Sequence, residues 1–179
     1  MRDLPRIGMF CSKAIDGDSL NEQVLAGVAS FCGGFSLLPL PDGEVMIPPD
    51  VLVINDQHDS AARVVLGMSP SSFVLINSDR KSSYAPIRRY AGNLITYGIN
   101  QKACLTASSI VDDELGGQLQ LCIQRNFPTA TGGVATVQEF PVHMHALGLD
   151  ATIALVGVML VCGANVQIID EVFNFVKLA

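Results

Sequence analysis

FVLINSDR, at Phe73–Arg80, carries more information about the structure than any other part of this sequence. Four apolar residues lead into Asn77, and a polar turn that contains Asp79 follows. A second run of the same kind, Asn93–Gly98 (NLITYG), comes shortly afterwards. Short apolar runs that end in turn residues are typical of strands buried on both faces, as in parallel sheets. The two stretches therefore predict strands at Phe73–Asn77 and Asn93–Tyr97, with Asn77 and Asp79 at the end of the first.

The N-terminal part of the chain extends this pattern. Two more buried strands are predicted at Arg6–Cys11 (RIGMFC) and Asp50–Asn55 (DVLVIN). Helical periodicity predicts a helix from Ser19 to Phe31, opened by a capping box, and a short helix at Ser60–Met68. One or two helical turns are predicted at Pro86–Tyr90. Strands that alternate with helices in this way indicate parallel βαβ units.

After Gly98 the hydrophobic pattern changes to a period of two. Residues 118–124 and 139–145 alternate apolar and polar positions, which is typical of antiparallel strands with one buried face. Two helices then follow, at Asp150–Cys162, which is apolar on nearly all sides, and at Val166–Val176, which has one apolar stripe. These segments predict an antiparallel β-ribbon and two packed helices.

The predicted fold class is therefore α/β, a mainly parallel sheet with flanking helices plus an antiparallel β-ribbon. The chain has 179 residues, of which 49% are hydrophobic and 16% charged, so it carries enough apolar surface for a large core. This composition excludes a disordered protein. No linker, repeat or low-complexity segment is visible in the sequence, and we expect a single domain over residues 1–179.

Charge and hydropathy limit the partners. The net charge of −6 and the pI of about 4.8 argue against a nucleic-acid partner, which needs a basic face. The most apolar stretch, Ala151–Cys162, is shorter than the roughly 20 residues of a membrane-spanning helix. It predicts a buried helix or an interface helix, through which a homo-oligomer or a protein partner would be held. The N-terminus resembles no signal peptide and the five cysteines are scattered, so we expect a cytoplasmic protein.

The order of these elements resembles the central ATP-binding domain of the Mur ligase family. FVLINSDR is similar to the strand end that reads VVLNADD in the family, and NLITYG is similar to the strand that follows it. Residues 140–175 resemble the segment in which an antiparallel strand leads into the GxHNxxNxxAA helix. The resemblance implies ATP and magnesium as cofactors and the joining of amino acids to cell-wall precursors. It covers residues 70–178 well and residues 1–70 loosely.

The departures from the family pattern lie where that chemistry would occur. The family's phosphate loop, of the type GTNGKT, corresponds here to residues 10–16, where no G-x-x-G-K-[ST] is present. Lys13 lies about two positions too early, and Asp16 and Asp18 occupy a helix start that would otherwise attract phosphate. Asp150 stands where the family has His. We therefore interpret the phosphate loop as degenerate, and expect a stand-alone, non-catalytic form of the domain.

Three residues remain as nucleotide-site candidates. Asn77 and Asp79 lie at the strand end that is beside the adenosine of ATP in the family, and Lys13 would contact phosphate from its shifted position. The competing interpretation is that Asn77 and Asp79 cap backbone N–H groups of a strand-end turn. No catalytic residue and no metal ligand is predicted, and the residues themselves imply neither ATP nor magnesium.

Three other groups of residues have both a chemical and a structural interpretation. His143 and His145 lie on one face of a strand with Glu139, where they would seed a zinc site or line a solvated face. Cys11 is either a nucleophile, with Lys13 and His58 as neighbours, or a small buried side chain. The clearest basic group consists of Arg88, Arg89 and Arg125. These side chains would either be solvated at the surface or pair with an anion.

Three functions follow from these observations. The first is a non-catalytic Mur ligase-like domain that acts as a binding or regulatory protein. The second is an ATP-dependent carboxylate–amine ligase with an altered nucleotide site. The third is a small-molecule binder on an α/β scaffold, since fold alone does not determine function.

Overall fold

The structure, a computed structural model, describes residues 6–10, 36–38, 48–55, 61–111, 117–144 and 148–176. The strands that form the main sheet are β1 (Arg6–Phe10), β2 (Ser36–Leu38), β3 (Val51–Ile54), β4 (Phe73–Asn77), β5 (Asn93–Tyr97), β6 (Leu105–Val111), β7 (Gln118–Ile123) and β10 (Gln138–His143). The helices are α1 (Ala61–Gly67), α2 (Leu149–Val161) and α3 (Val166–Val176), with a 3-10 helix at Lys81–Tyr84. A small separate sheet pairs β8 (Phe127–Pro128) with β9 (Val134–Ala135).

The main sheet has the strand order β10-β7-β6-β5-β4-β3-β1-β2. The strands from β2 to β6 pair in parallel, and β7 pairs antiparallel with both β6 and β10. This arrangement confirms the predicted fold class. Since β1, β3, β4 and β5 run in the same direction, their C-terminal ends share one edge of the sheet, here called the carboxyl edge.

The two faces of the sheet are covered differently. On one face, alternate residues of the strands, among them Val53, Leu75 and Leu121, pack with α2 and α3 in one large cluster. On the other face, α1 and Ile87 pack on β3 and β4. Burial on both sides explains why β3 and β4 consist almost entirely of apolar residues.

Helix α2 has its apolar surface covered by this chain. Thr152–Val161 are all buried, and most of them belong to the large cluster. The helix approaches the sheet closely, since a Cβ at Gly157 would lie 2.7 Å from Leu75 Cδ2. The buried-helix interpretation of residues 151–162 thus describes the structure, and this helix has little surface left for a partner. None of the helices in the described ranges has the length and apolarity needed to cross a bilayer.

Most predicted elements agree with the structure. The bounds of β4, β5 and α3 are those predicted, and the ends of β1, β3, α1 and α2 lie close to the predicted ones. The helical turns predicted at Pro86–Tyr90 are hydrogen-bonded turns, and a 3-10 helix lies just before them. The sequence pattern did not predict β2, β6, β8 or β9. The helix predicted at residues 19–31 lies outside the described residues.

The antiparallel strands extend past the carboxyl edge. β5 and β6 share a single register pair, between Tyr97 at the end of β5 and Leu105 at the start of β6. The rest of β6, with its partners on β7 and β10, therefore continues for about 20 Å beyond the end of β5. These strands form one side wall of the region where ligands bind in open α/β sheets.

Candidate functional site: the carboxyl edge of the sheet

A buried polar network joins the ends of three neighbouring strands. The Asn77 amide nitrogen donates a hydrogen bond of 2.9 Å to Asn55 Oδ1, and the Tyr97 hydroxyl donates one of 3.0 Å to the same oxygen. All three side chains are buried at the ends of β3, β4 and β5. Buried polar groups are retained when their hydrogen bonds are satisfied, and this strand-end network fixes the three strand ends relative to one another.

Asp79 binds the loop that follows β5. Its Oδ2 accepts a hydrogen bond of 2.6 Å from the backbone N–H of Ile99, and its Oδ1 accepts one of 3.1 Å from the backbone N–H of Asn100. The Asn100 side-chain amide also donates to Oδ1 at 2.7 Å. Both carboxylate oxygens are thus used within the chain. This set of hydrogen bonds, here called the Asp79 clasp, ties the end of β4 to the β5–β6 loop.

The clasp depends on a glycine at position 98. Gly98 has a φ of 144°, and a Cβ at this position would overlap the Asp79 carboxylate. Glycine allows both this backbone conformation and the close approach of the carboxylate. Asn77 supports the same turn, because its Oδ1 accepts a hydrogen bond of 3.0 Å from the backbone N–H of Asp79.

Arg80 connects the carboxyl edge to the start of α2. Its Nη2 lies 3.0 Å from Asp150 Oδ2, and both side chains are partly exposed. Asp150 is in the first turn of α2, where a carboxylate interacts favourably with the helix dipole. An anion at this helix start would therefore meet a carboxylate that is already in place and already paired with a cation.

Two lysines at this edge are exposed to solvent. Lys81 follows Arg80 directly, and Lys102 lies in the β5–β6 loop. The ion pairs between described residues involve neither ammonium group. Within the same ranges, no group of three His, Cys, Asp or Glu side chains is arranged to bind a metal ion. The edge thus offers positive charge to a ligand, but the polar groups of Asn77 and Asp79 are used internally.

The structure brings two of the three predicted site residues together. Asn77 and Asp79 lie at and just after the end of β4 and are joined by a hydrogen bond, in the pattern of the capping interpretation. Lys13 lies outside the described residues. No role was predicted for Tyr97 or Asn100. The sequence offered one indication of their role, which is that Tyr97 lies at the end of the strand predicted as β5 and Asn100 shortly after it.

The other sequence candidates lie apart or outside the described residues. On β10, Glu139 pairs in register with Cys122, whereas His143 pairs with Gln118. Glu139 and His143 are four residues apart on one strand, about 13 Å, so they do not share a metal ion. Burial raises the pKa of the Cys122 thiol, and the Glu139 carboxylate raises it further, which disfavours the reactive thiolate. The remaining candidates, Cys11, His58 and His145, are not among the described residues.

Comparison with known proteins finds likeness in structure. No protein-family model matches the chain, and no curated protein matches its sequence. The UDP-N-acetylmuramoylalanyl-D-glutamyl-2,6-diaminopimelate--D-alanyl-D-alanyl ligase from Acinetobacter baumannii is similar with a TM-score of 0.66 and 12% identity, over 95% of this chain and 45% of that chain. A murein peptide ligase from Psychrobacter arcticus 273-4 has a TM-score of 0.59 and 8% identity, over 94% of this chain and 45% of that one.

A third similar structure is the folylpolyglutamate synthetase from Lactobacillus casei, with a TM-score of 0.52 and 10% identity, over 78% of this chain and 36% of that one. The chain thus spans less than half the length of each of these proteins. Identities this low establish the fold and not the activity. The likeness agrees with the resemblance in the sequence motifs, and the chain has a Mur ligase-like fold.

Proposed function

We propose that this protein is a non-catalytic Mur ligase-like domain that acts as a binding or regulatory protein linked to cell-wall precursor metabolism. The observation that carries the proposal is the internal use of the polar groups at the carboxyl edge. Both amide atoms of Asn77 and both carboxylate oxygens of Asp79 are hydrogen-bonded within the chain. Asn77 is fully buried, so a nucleoside that used its amide would have to break existing bonds first. Asp79 is exposed, but both of its oxygens already accept hydrogen bonds, which leaves them less capacity to accept others.

Charge at the same edge supports the proposal. The start of α2 carries the Arg80–Asp150 pair, so a carboxylate already interacts with the positive end of its dipole. In the sequence, the stretch that follows β1 lacks the phosphate-loop pattern and contains Asp16 and Asp18. Carboxylates therefore occupy sequence positions where a nucleotide-hydrolysing enzyme of this fold presents phosphate-binding groups.

The alternative, an ATP-dependent ligase with an altered site, has one observation in its favour. Lys81 and Lys102 are exposed at the carboxyl edge, and no described residue forms an ion pair with them. Ammonium groups bind phosphate as point charges. In this alternative the two lysines, with Lys13, would replace the contacts of a regular phosphate loop, and ATP would activate a carboxylate for amide formation.

Calorimetric titration with ATP, with and without magnesium, separates the two functions. The proposal predicts no binding heat at ATP concentrations up to the millimolar range. Micromolar binding would overturn the proposal, and its loss in a Lys81→Ala/Lys102→Ala variant would support the ligase. The matched control is Arg125→Ala, because Arg125 is an exposed cation in the connection between β7 and β8.

A further inference from the structure

The N-terminal half of strand β5 has an edge that β6 does not reach. The Thr96 carbonyl accepts a hydrogen bond of 2.8 Å from the backbone N–H of Cys104. The backbone N–H of Gly98 donates one of 3.2 Å to the Leu105 carbonyl. Even-numbered residues of β5 therefore direct their backbone groups toward β6. Because β6 begins at Leu105, at the end of β5, it does not extend to Leu94.

Three backbone groups of β5 consequently have no strand beside them. Backbone direction alternates along a strand, so Leu94 points its N–H and its C=O, and Thr96 its N–H, to the side that β6 leaves open. Odd-numbered residues bond to β4 instead, as the N–H of Asn93 does by donating to the Ser72 carbonyl. No described residue hydrogen-bonds to the three groups. This stretch, Asn93–Thr96, is here called the open edge and is about 13 Å long.

The open edge is accessible on the side of the sheet that carries α1. Leu94 is 43% exposed and points to that side, whereas Ile95 points to the other side and is buried in the cluster that contains α2. An unpaired strand edge with an exposed apolar side chain is a template for another strand. A strand laid beside β5 would cover Leu94 and hydrogen-bond to the three backbone groups.

Two arginines lie beside the open edge. Leu94 pairs in register with Val74 of β4, and Val74 packs with Ile87 in the cluster under α1. Arg88 and Arg89 follow Ile87 directly, which places them in the turn next to Leu94. Both arginines are exposed, and neither forms an ion pair with a described residue. The open edge therefore combines free main-chain groups with positive charge.

Positive charge is concentrated in this part of the chain. Residues 61–111 contain six of the protein's eleven Lys and Arg residues, but only one of its seventeen Asp and Glu residues. The rest of the chain holds the other acidic residues, and the whole protein has a net charge of −6. An extended polyanion, such as nucleic acid or an anionic bilayer, would face that acidic remainder as well as the arginines. A partner whose negative charge is confined to a short segment matches the arginines without this repulsion.

We propose that the open edge binds an extended acidic segment of another protein, which joins the sheet as a strand beside β5. Its main chain bonds to Leu94 and Thr96, and its Asp or Glu side chains pair with Arg88 and Arg89. A second copy suits the edge less well, because pairing two open edges about a two-fold axis would bring both sets of arginines together. The inference names a partner for a binding protein, but it does not depend on whether the carboxyl edge binds ATP.

Fluorescence anisotropy of a labelled peptide of Glu-Val repeats, added to the complete 179-residue chain, measures the interaction. We expect binding in about the micromolar range that weakens as salt is added, and no binding of a Lys-Val peptide. Arg88→Glu/Arg89→Glu should raise the dissociation constant roughly tenfold or more. The control, Lys81→Glu/Lys102→Glu, changes the net charge equally but at the carboxyl edge, and should raise it less than about threefold. Failure of the Glu-Val peptide to bind, or an equal loss in the control, refutes the proposal.

Leu94→Pro tests whether the bound segment is a strand. Proline removes the N–H that points to the open edge and leaves the hydrogen bonds to β4 in place, so the dissociation constant should rise roughly fivefold. Circular dichroism checks that this variant folds. In the unaltered protein, bound peptide should slow amide hydrogen exchange at Leu94 and Thr96, but not at Ile95, whose N–H already faces β4. Unchanged exchange at Leu94 and Thr96, or full affinity in the folded variant, contradicts strand addition.

Two further measurements identify a different occupant if the proposal is wrong. A dimer in sedimentation equilibrium that dissociates in Leu94→Pro would assign the open edge to a second copy of this chain. Tighter binding to phosphatidylglycerol vesicles or to duplex DNA than to the Glu-Val peptide would assign the arginines to an extended polyanion. Either result overturns the acidic segment as the partner.

Discussion

Replacing Asn77 with alanine removes two hydrogen bonds from the buried end of β4. The amide nitrogen loses its 2.9 Å bond to Asn55, and the backbone N–H of Asp79 loses its acceptor at 3.0 Å. Each bond contributes about 1 kcal/mol, and the space left by the fully buried side chain adds a similar cost. We expect the free energy of unfolding to fall by about 2–3 kcal/mol, which lowers the Tm by roughly 5–10 °C for a chain of this size.

Urea unfolding followed by circular dichroism measures this change. A double-mutant cycle with Asn55→Ala should give a coupling energy of about 0.5–1 kcal/mol, because the two variants share one hydrogen bond. Asn93→Ala is the control, since its side-chain hydrogen bonds are long, 3.3 and 3.4 Å, and should cost less than about 0.5 kcal/mol. If Asn77→Ala costs no more than this control, the strand-end network does not stabilise the fold, and the capping interpretation of Asn77 is wrong.

Three further changes have expected outcomes. Gly98→Ala should lower the free energy of unfolding, measured in urea, by about 2–3 kcal/mol, because it adds backbone strain and a clash with the Asp79 carboxylate. A variant as stable as the unaltered protein would contradict the geometry of the Asp79 clasp. Hydrogen bonding from Arg6 holds the pKa of Asp50 below its ordinary value. The pair therefore stabilises the fold at a pH above the ordinary pKa, and this contribution disappears as the pH falls through the lowered pKa. Asp50→Asn should therefore lower the free energy of unfolding by less than about 1 kcal/mol at neutral pH, since both side chains of the pair are partly exposed. Thermal melts at a series of pH values should show this difference shrinking in acid. Gly157→Ala should destabilise by about 1 kcal/mol net in calorimetry, because crowding against the sheet outweighs the gain in helix propensity; a higher Tm would show that the core can adjust.

The sequence predicted those elements whose apolar pattern is regular. β4 and β5 are buried runs that end in polar residues, and their bounds were predicted correctly. β6 was not predicted, because a β-bulge shifts the register between Ala107 and Ser109 and breaks the alternation of the strand. β8 and β9 were not predicted because two residues carry no period. A pattern of period two identifies a strand only where successive residues keep to alternate faces.

The strand-end positions of Asn77 and Asp79, and their capping of backbone N–H groups, were predicted, but the partners of Asp79 were not. The role of these two residues and Lys13 in binding a nucleotide stays a prediction. Asn77 and Asp79 were placed at a strand end from the apolar run that precedes them, and the structure has them there. The partners of Asp79 are the backbone of Ile99 and the amide of Asn100, which lie 20 and 21 residues later in the chain. Which distant backbone groups a carboxylate meets depends on strand pairing. A single sequence therefore indicates that a polar group is present at the edge, and not what it binds.

The join between β5 and β6 is the line along which the parallel and the antiparallel halves of the sheet meet. One register pair, Tyr97 with Leu105, links the two halves. Backbone hydrogen bonds from the N–H of Cys104 to the Thr96 carbonyl and from the N–H of Gly98 to the Leu105 carbonyl add to it. Helix α2 bridges this line, because Gly157 approaches Leu75 on one side of it and Leu105 on the other. Helix α2 thus packs on both halves in one continuous buried cluster, so a change in the packing of this helix acts on both halves at once. Since Arg80 pairs with Asp150 in the first turn of α2, the carboxyl edge is joined to the same helix that spans the two halves of the sheet.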